Sequence, residues 1–101
     1  MLGEDFAFEP SGPALWARLE RRLVDQLAAM QQQGILAGGG RGESFDVRCD
    51  RRTMTRSDID AGRVIVHLWF RPAANISTIR LQLVASGEQG VRVAGGSVEA
   101  A

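Results

Sequence analysis

A chain of 101 residues with 45% hydrophobic and 24% charged residues has room for one domain of ordinary globular composition and one modest core, not two. Its formal net charge of zero removes any global field that would draw it to nucleic acid or acidic lipid. A single cysteine, Cys49, excludes an intrachain disulfide and fits a reducing compartment.

In chain order, residues 5–9 (DFAFE) alternate, with Phe6 and Phe8 on one side, and read as a short strand or extended arm ended by Pro10. No basic, then apolar, leader stands at this end, and no apolar run approaches the roughly 20 residues of a membrane span. Gly12 as N-cap and Pro13 at the first helical position open a helix over 13–33. Leu15, Leu19, Leu23, Leu27 and Met30 form its apolar stripe, widened by Trp16 and Val24. Arg18, Arg21, Arg22 and Asp25 are left for the other sides. Gly34 closes the helix in the left-handed conformation, and Ile35 packs back towards Met30.

A glycine-rich, flexible turn over 34–44 leads to SFDVRCD (44–50), which alternates as a half-buried strand. Residues 51–62 read as an ordered loop. RVIVHLWFR (63–71) predicts a central strand, with Val64, Val66, Leu68 and Phe70 on one face and Ile65, His67 and Trp69 on the other. Pro72 and Asn75 mark a turn. NISTIRLQLVA (75–85) predicts a further strand, at an edge, with Ser77, Ile79, Leu81 and Leu83 on one side. Residues 86–101 are mostly Gly, Ser, Ala and Val and read as a loose tail in which only 91–93 can pair. The expected fold is α+β: one domain over 1–85, with a long amphipathic helix on a three- to four-stranded, mainly antiparallel sheet, followed by a flexible tail over 86–101.

Catalytic chemistry is sparse. Cys49 and His67 are the single thiol–imidazole pair, with Asp50 as a conceivable orienting acid, but nothing in the pattern activates the thiol. The favoured reading is a small buried cysteine and a strand histidine. Asp58 and Asp60 before Gly62 are similar to the start of a calcium loop that lacks its later ligands; they read as turn-formers pairing with Arg56 and Arg63. Glycines 38–40 precede a strand, not a helix, and so lack the setting of a phosphate cradle. Arg18, Arg21 and Arg22 have no aromatic platform beside them for nucleic acid. The chain is expected not to be an enzyme and to use no cofactor or metal.

The order of the pieces carries a resemblance. Phe8-Glu9-Pro10, Leu15-Trp16 heading an Arg-rich helix, Val47-Arg48-Cys49-Asp50, and Asp58 with Gly62-Arg63 follow one another over about residues 6–84. This resembles the C-terminal domain of contractile tail sheath proteins of phages and related injection systems. Ser11-Gly12 stand where that family has an Asn-Asp pair. Its Pro-Ala-Glu-Phe becomes Pro72-Ala73-Ala74-Asn75-Ile76 here. The resemblance implies a structural subunit, or an excised domain, assembled in a bacterial cytoplasm into a virion or tail-like particle. Implied partners are neighbouring sheath-type subunits, which add strands to one another's sheets, and the tail tube protein. Self-association is expected, and neither nucleic acid nor membrane is a partner. The expected interface residues are Phe6, Phe8, Arg18, Arg21, Arg22, Ile79, Leu81 and Leu83. A non-polymerising baseplate or capping component is the alternative, and a small thiol enzyme using Cys49 and His67 the remote one.

Overall fold

The computed structural model describes residues 12–74, 77–86 and 90–99. The expected arm with Phe6 and Phe8 lies outside them. Helix α1 spans Pro13–Gln32, preceded by Gly12 in extended conformation. Leu15, Trp16, Leu19 and Leu27 of the stripe are buried, while Leu23, Val24 and Met30 pack against the core from its margin. The helix ends as the glycine predicts. Gly34 has φ +81°, its N–H donates to the Gln31 carbonyl (3.0 Å), and the Ile35 N–H donates to Met30 (3.0 Å), which satisfies two of the last carbonyls.

The four strands β1 (Phe45–Arg48), β2 (Val64–Phe70), β3 (Thr78–Ser86) and β4 (Gly90–Glu99) form one antiparallel sheet in the order β1-β2-β3-β4. The fold is therefore α+β, as expected. Directly paired residues share a face. Phe45 opposite Phe70, Val47 opposite Leu68, Val66 opposite Leu83 and Val64 opposite Ala85 define the face that meets α1. Phe45, Val47, Val64, Val66 and Leu68 on that face are all buried.

Three expectations are corrected. The segment 75–85 is not an edge: β3 lies inside the sheet between β2 and β4. The loose tail of 86–101 instead contains β4, ten residues long and paired with β3 along its length, with a bulge that breaks the register between Gln82 and Leu83. Small residues give little side-chain signal for a strand, yet the backbone pairs regardless of what the side chains bury. The ordered loop 51–62 carries a second, short helix, α2 (Arg56–Asp60). It is opened by a reciprocal cap in which the Asp58 N–H donates to Thr55 Oγ1 (3.1 Å) and the Thr55 N–H donates to Asp58 Oδ2 (3.0 Å).

The 34–44 turn is also anchored, not simply loose. Leu36 is buried, the Ala37 N–H donates to the Arg71 carbonyl (2.9 Å) and the Ala73 N–H to the Ile35 carbonyl (2.9 Å). Two polar clasps set the helix direction. The Cys49 N–H donates to Glu20 Oε1 (3.0 Å), and Gln31 Nε2 donates to Ser44 Oγ (3.2 Å) and to the Ala37 carbonyl (3.1 Å). From Glu20 to Gln31 a helix rises about 16 Å. From Cys49 back to Ser44 a strand covers about the same distance. The helix therefore runs nearly parallel to the strands, antiparallel to β1 and over it.

Candidate interaction surface

Because α1 packs against β1, its cover stops short of the far side of the sheet. On the helix-side face Val91 pairs with Ala85, Val93 with Leu83, Gly96 with Leu81 and Val98 with Ile79. Val91, Val93 and Val98 are 40%, 59% and 69% exposed, whereas Phe45, Val47, Val64, Val66 and Leu68 on the same face of β1 and β2 are buried. Ile79, Leu81 and Leu83 are half-buried in the same uncovered band. Leu81 and Leu83 also pack against the core, and Gly96 interrupts the row of valines on β4. Among the described residues strand β4 is also the last strand of the sheet, so one row of its backbone N–H and C=O groups has no described strand beside it. It carries no proline or lysine, the usual guards of an edge, and its charged residues are Arg92 and Glu99.

The expected interface residues thus separate. Ile79, Leu81 and Leu83 belong to the uncovered face, though on an interior strand and not an edge. Arg18, Arg21 and Arg22 are exposed on α1. Arg18 and Arg21 line a shallow groove with Ala14, Ala17, Val24, Asp25 and Arg41, on the side of α1 away from β4. Phe6 and Phe8 lie outside the described residues. Sequence reading singled out 91–93 as able to pair but missed Val98 and the exposed apolar row that Val91, Val93 and Val98 form. Their alternation is broken by Gly95-Gly96 and the bulge, and the signal that remained was Val91-Arg92-Val93 alone.

On the opposite face Ile65 and Val84 are buried, and the stretch further along the strands is polar. His67, Trp69, Arg80, Gln82, Gly95 and Ser97 line a depression of about 400 Å³. The Arg71 guanidinium stacks 5.7 Å from the Trp69 ring centre, and Arg80 pairs with Glu99 at 2.6 Å.

The thiol–imidazole arrangement does not form. Cys49 is 3% exposed on the helix side, beyond Val47 on β1, while His67 is exposed on the opposite face of β2 beside Arg48. Burial, with the charges of Glu20 and Asp50 adding to it, pushes the Cys49 thiol up to about 12, away from thiolate chemistry. Asp50 faces Arg52 instead, its carboxylate 2.8 Å from that guanidinium, which holds it below the usual carboxylate range. Asp58 and Asp60 go to Arg63 (3.1 Å) and Arg56 (4.0 Å), as turn-formers do. Among the described residues no group of three or more His, Cys, Asp or Glu could hold a metal ion. No described helix is long and apolar enough to cross a membrane.

Comparison with protein-family models, with curated proteins and with solved structures finds no match to this chain.

Proposed function

We propose that this chain is a structural subunit or domain of a contractile tail sheath and that it joins neighbouring subunits by strand addition at β4. The observation that carries the reading is the ten-residue edge of β4, free of proline and lysine, beside exposed Val91, Val93 and Val98. An extended segment laid along such an edge gains main-chain hydrogen bonds, and its alternate side chains meet the apolar band. The order of sequence motifs over residues 6–84 supplies the family. Its partners are then neighbouring sheath-type subunits and a tail tube protein, and its place is a phage tail or related injection particle assembled in a bacterial cytoplasm. On this reading Arg18, Arg21 and Arg22 of α1 supply weak, exposed ion pairs to an acidic partner surface, which release readily when subunits move.

The test is light scattering on a size-exclusion column across a concentration series, with negative-stain microscopy of the same fractions and the Val91→Lys/Val93→Lys double variant run beside the wild type. Concentration-dependent oligomers or short filaments, lost in the double variant, are expected. A monomer at every concentration that still binds the end of a purified tail tube moves the reading to a capping component. A monomer that binds no tube ends it.

A further inference from the structure

Among the described strands the sheet ends on β1 and on β4, and the two edges are finished differently. The Ser44 carbonyl accepts from the Arg71 N–H (2.9 Å), on the side of β2. By the alternation of an antiparallel ladder, Phe45, Val47 and Cys49 then turn their backbone groups away from β2, towards the outer edge. Four of those groups are occupied, none of them by a strand. The Gly42 N–H donates to the Phe45 carbonyl (2.7 Å), Arg41 Nη2 to the Val47 carbonyl (3.2 Å), the Val47 N–H to Asp46 Oδ1 (2.8 Å) and the Cys49 N–H to Glu20 Oε1 (3.0 Å). Arg41 ties this cover together: its Nε donates to Asp46 Oδ1 (2.8 Å), and its Nη2 stands 3.6 Å from Glu20 Oε2. Among the described residues nothing comparable lies along β4. Arg41 and Glu20 also wall the groove beside α1, whose lining includes Ala14, Ala17 and Val24.

We propose that Arg41 is a latch on the β1 edge, and that the strand it holds off is β4 of a second copy. Helix α1 covers β1 but stops short of β4, so a second copy adding through β4 brings no helix of its own to the junction. Its uncovered valines then stand on the α1 side, towards Ala17 and Val24 of the groove. Its backbone takes up the groups that Arg41, Asp46 and Glu20 now hold. The contact joins unlike edges and does not close on itself, so without the latch copies add head to tail into a growing sheet. The Arg41 side chain is half exposed and can swing into water without opening the core. The inference rests on the proposed function only in taking strand addition at β4 as the way copies meet; the latch itself follows from the contacts along β1.

The full chain and its Arg41→Ala variant, compared by light scattering over a concentration series with amide exchange read at Val47 and Cys49, test this directly. Association of the variant should begin at a concentration about tenfold or more lower, since the hydrogen bond to the Val47 carbonyl and the hold on two carboxylates need no longer be broken first. In its oligomers the Val47 and Cys49 amides should exchange more slowly than in the same variant when dilute. Adding Val91→Lys/Val93→Lys should return it to a monomer. Asp46→Ala, which removes the acceptor for the Val47 N–H and an anchor of Arg41, should behave alike and decides the matter if Arg41→Ala fails to fold. A variant that melts as a folded domain yet associates no more readily than the intact chain overturns the inference. Oligomers in which the Val47 and Cys49 amides are not slowed use another surface and overturn it too, while leaving the sheath reading in place. Latch-dependent oligomers of a chain that binds no tail tube uphold the latch and count against the sheath reading instead.

Discussion

Burial on the helix side of β1 keeps the Cys49 thiol protonated at neutral pH. A disulfide reagent should leave the native chain unmodified and take up one equivalent on unfolding in guanidinium; rapid labelling of the folded chain would contradict the placement of Cys49 in the core. Thr55 and Asp58 offer a second residue-scale test. Thr55→Ala removes the acceptor for the Asp58 N–H and should cost about 1 kcal/mol, seen as a melting point lower by about 4–8 °C. The Thr55 N–H, then the Thr55 hydroxyl, with Arg63 adding, holds the Asp58 carboxylate below its ordinary range. A depressed folded pKa means that its stabilisation is fully present above the unfolded value of about 3.9 and fades as pH falls through the lower folded value. Asp58→Asn should therefore lower the melting point at pH 7 and converge on the wild type near pH 2. Equal differences at both pH values would show that the carboxylate charge is irrelevant.

Among the elements, β4 depends most on the absence of side chains. A Cβ at Gly96 would stand 2.9 Å from Leu81 Cδ2 and 3.1 Å from the Arg80 carbonyl oxygen, closer than ordinary packing allows. Gly96→Val should push Leu81 aside and loosen β3–β4 pairing, so amide exchange over 90–99 should accelerate while α1 stays protected; uniform acceleration would place the damage in the whole domain. This element also marks where the sequence stopped being legible. The stripe of α1, the Gly12-Pro13 start, the Gly34 stop and the alternation of β1 were readable because a buried face imposes a period, and β2 was readable as an apolar run buried on both faces at Val64–Val66. In β4 no face is buried deeply enough to demand a pattern, and a bulge resets the alternation midway, so pairing that rests on backbone hydrogen bonds left little trace in residue type. Taking β3 for an edge followed directly from missing β4. Of the interaction surface, Ile79, Leu81 and Leu83 were legible as an apolar row. Their exposure was not, because it depends on where α1 lies across the sheet.

At the scale of the molecule, the half of the sheet that α1 covers holds the core, and the proposed association uses the other half. Phe45, 2% exposed and at the junction of β1, β2 and α1, belongs to the covered half. Phe45→Ala should cost about 3–5 kcal/mol, a large part of the roughly 5–15 kcal/mol that holds a domain together, and urea denaturation should report it. Val93→Lys lies in the uncovered half, where a surface change moves folding by about 0.5 kcal/mol or less. It should leave the urea midpoint in place while suppressing self-association, as a charge on an open edge does. If Val93→Lys unfolds the monomer, the division into halves is wrong. The same division gives the two tryptophans unlike surroundings. Trp16 is buried in the core under α1, and Trp69 is half-buried on the polar face against the Arg71 guanidinium. Their emission should resolve into a blue component shielded from iodide and a redder one that iodide quenches, so that a single unlabelled sample reports separately on melting of the interior and on contact at the outer face.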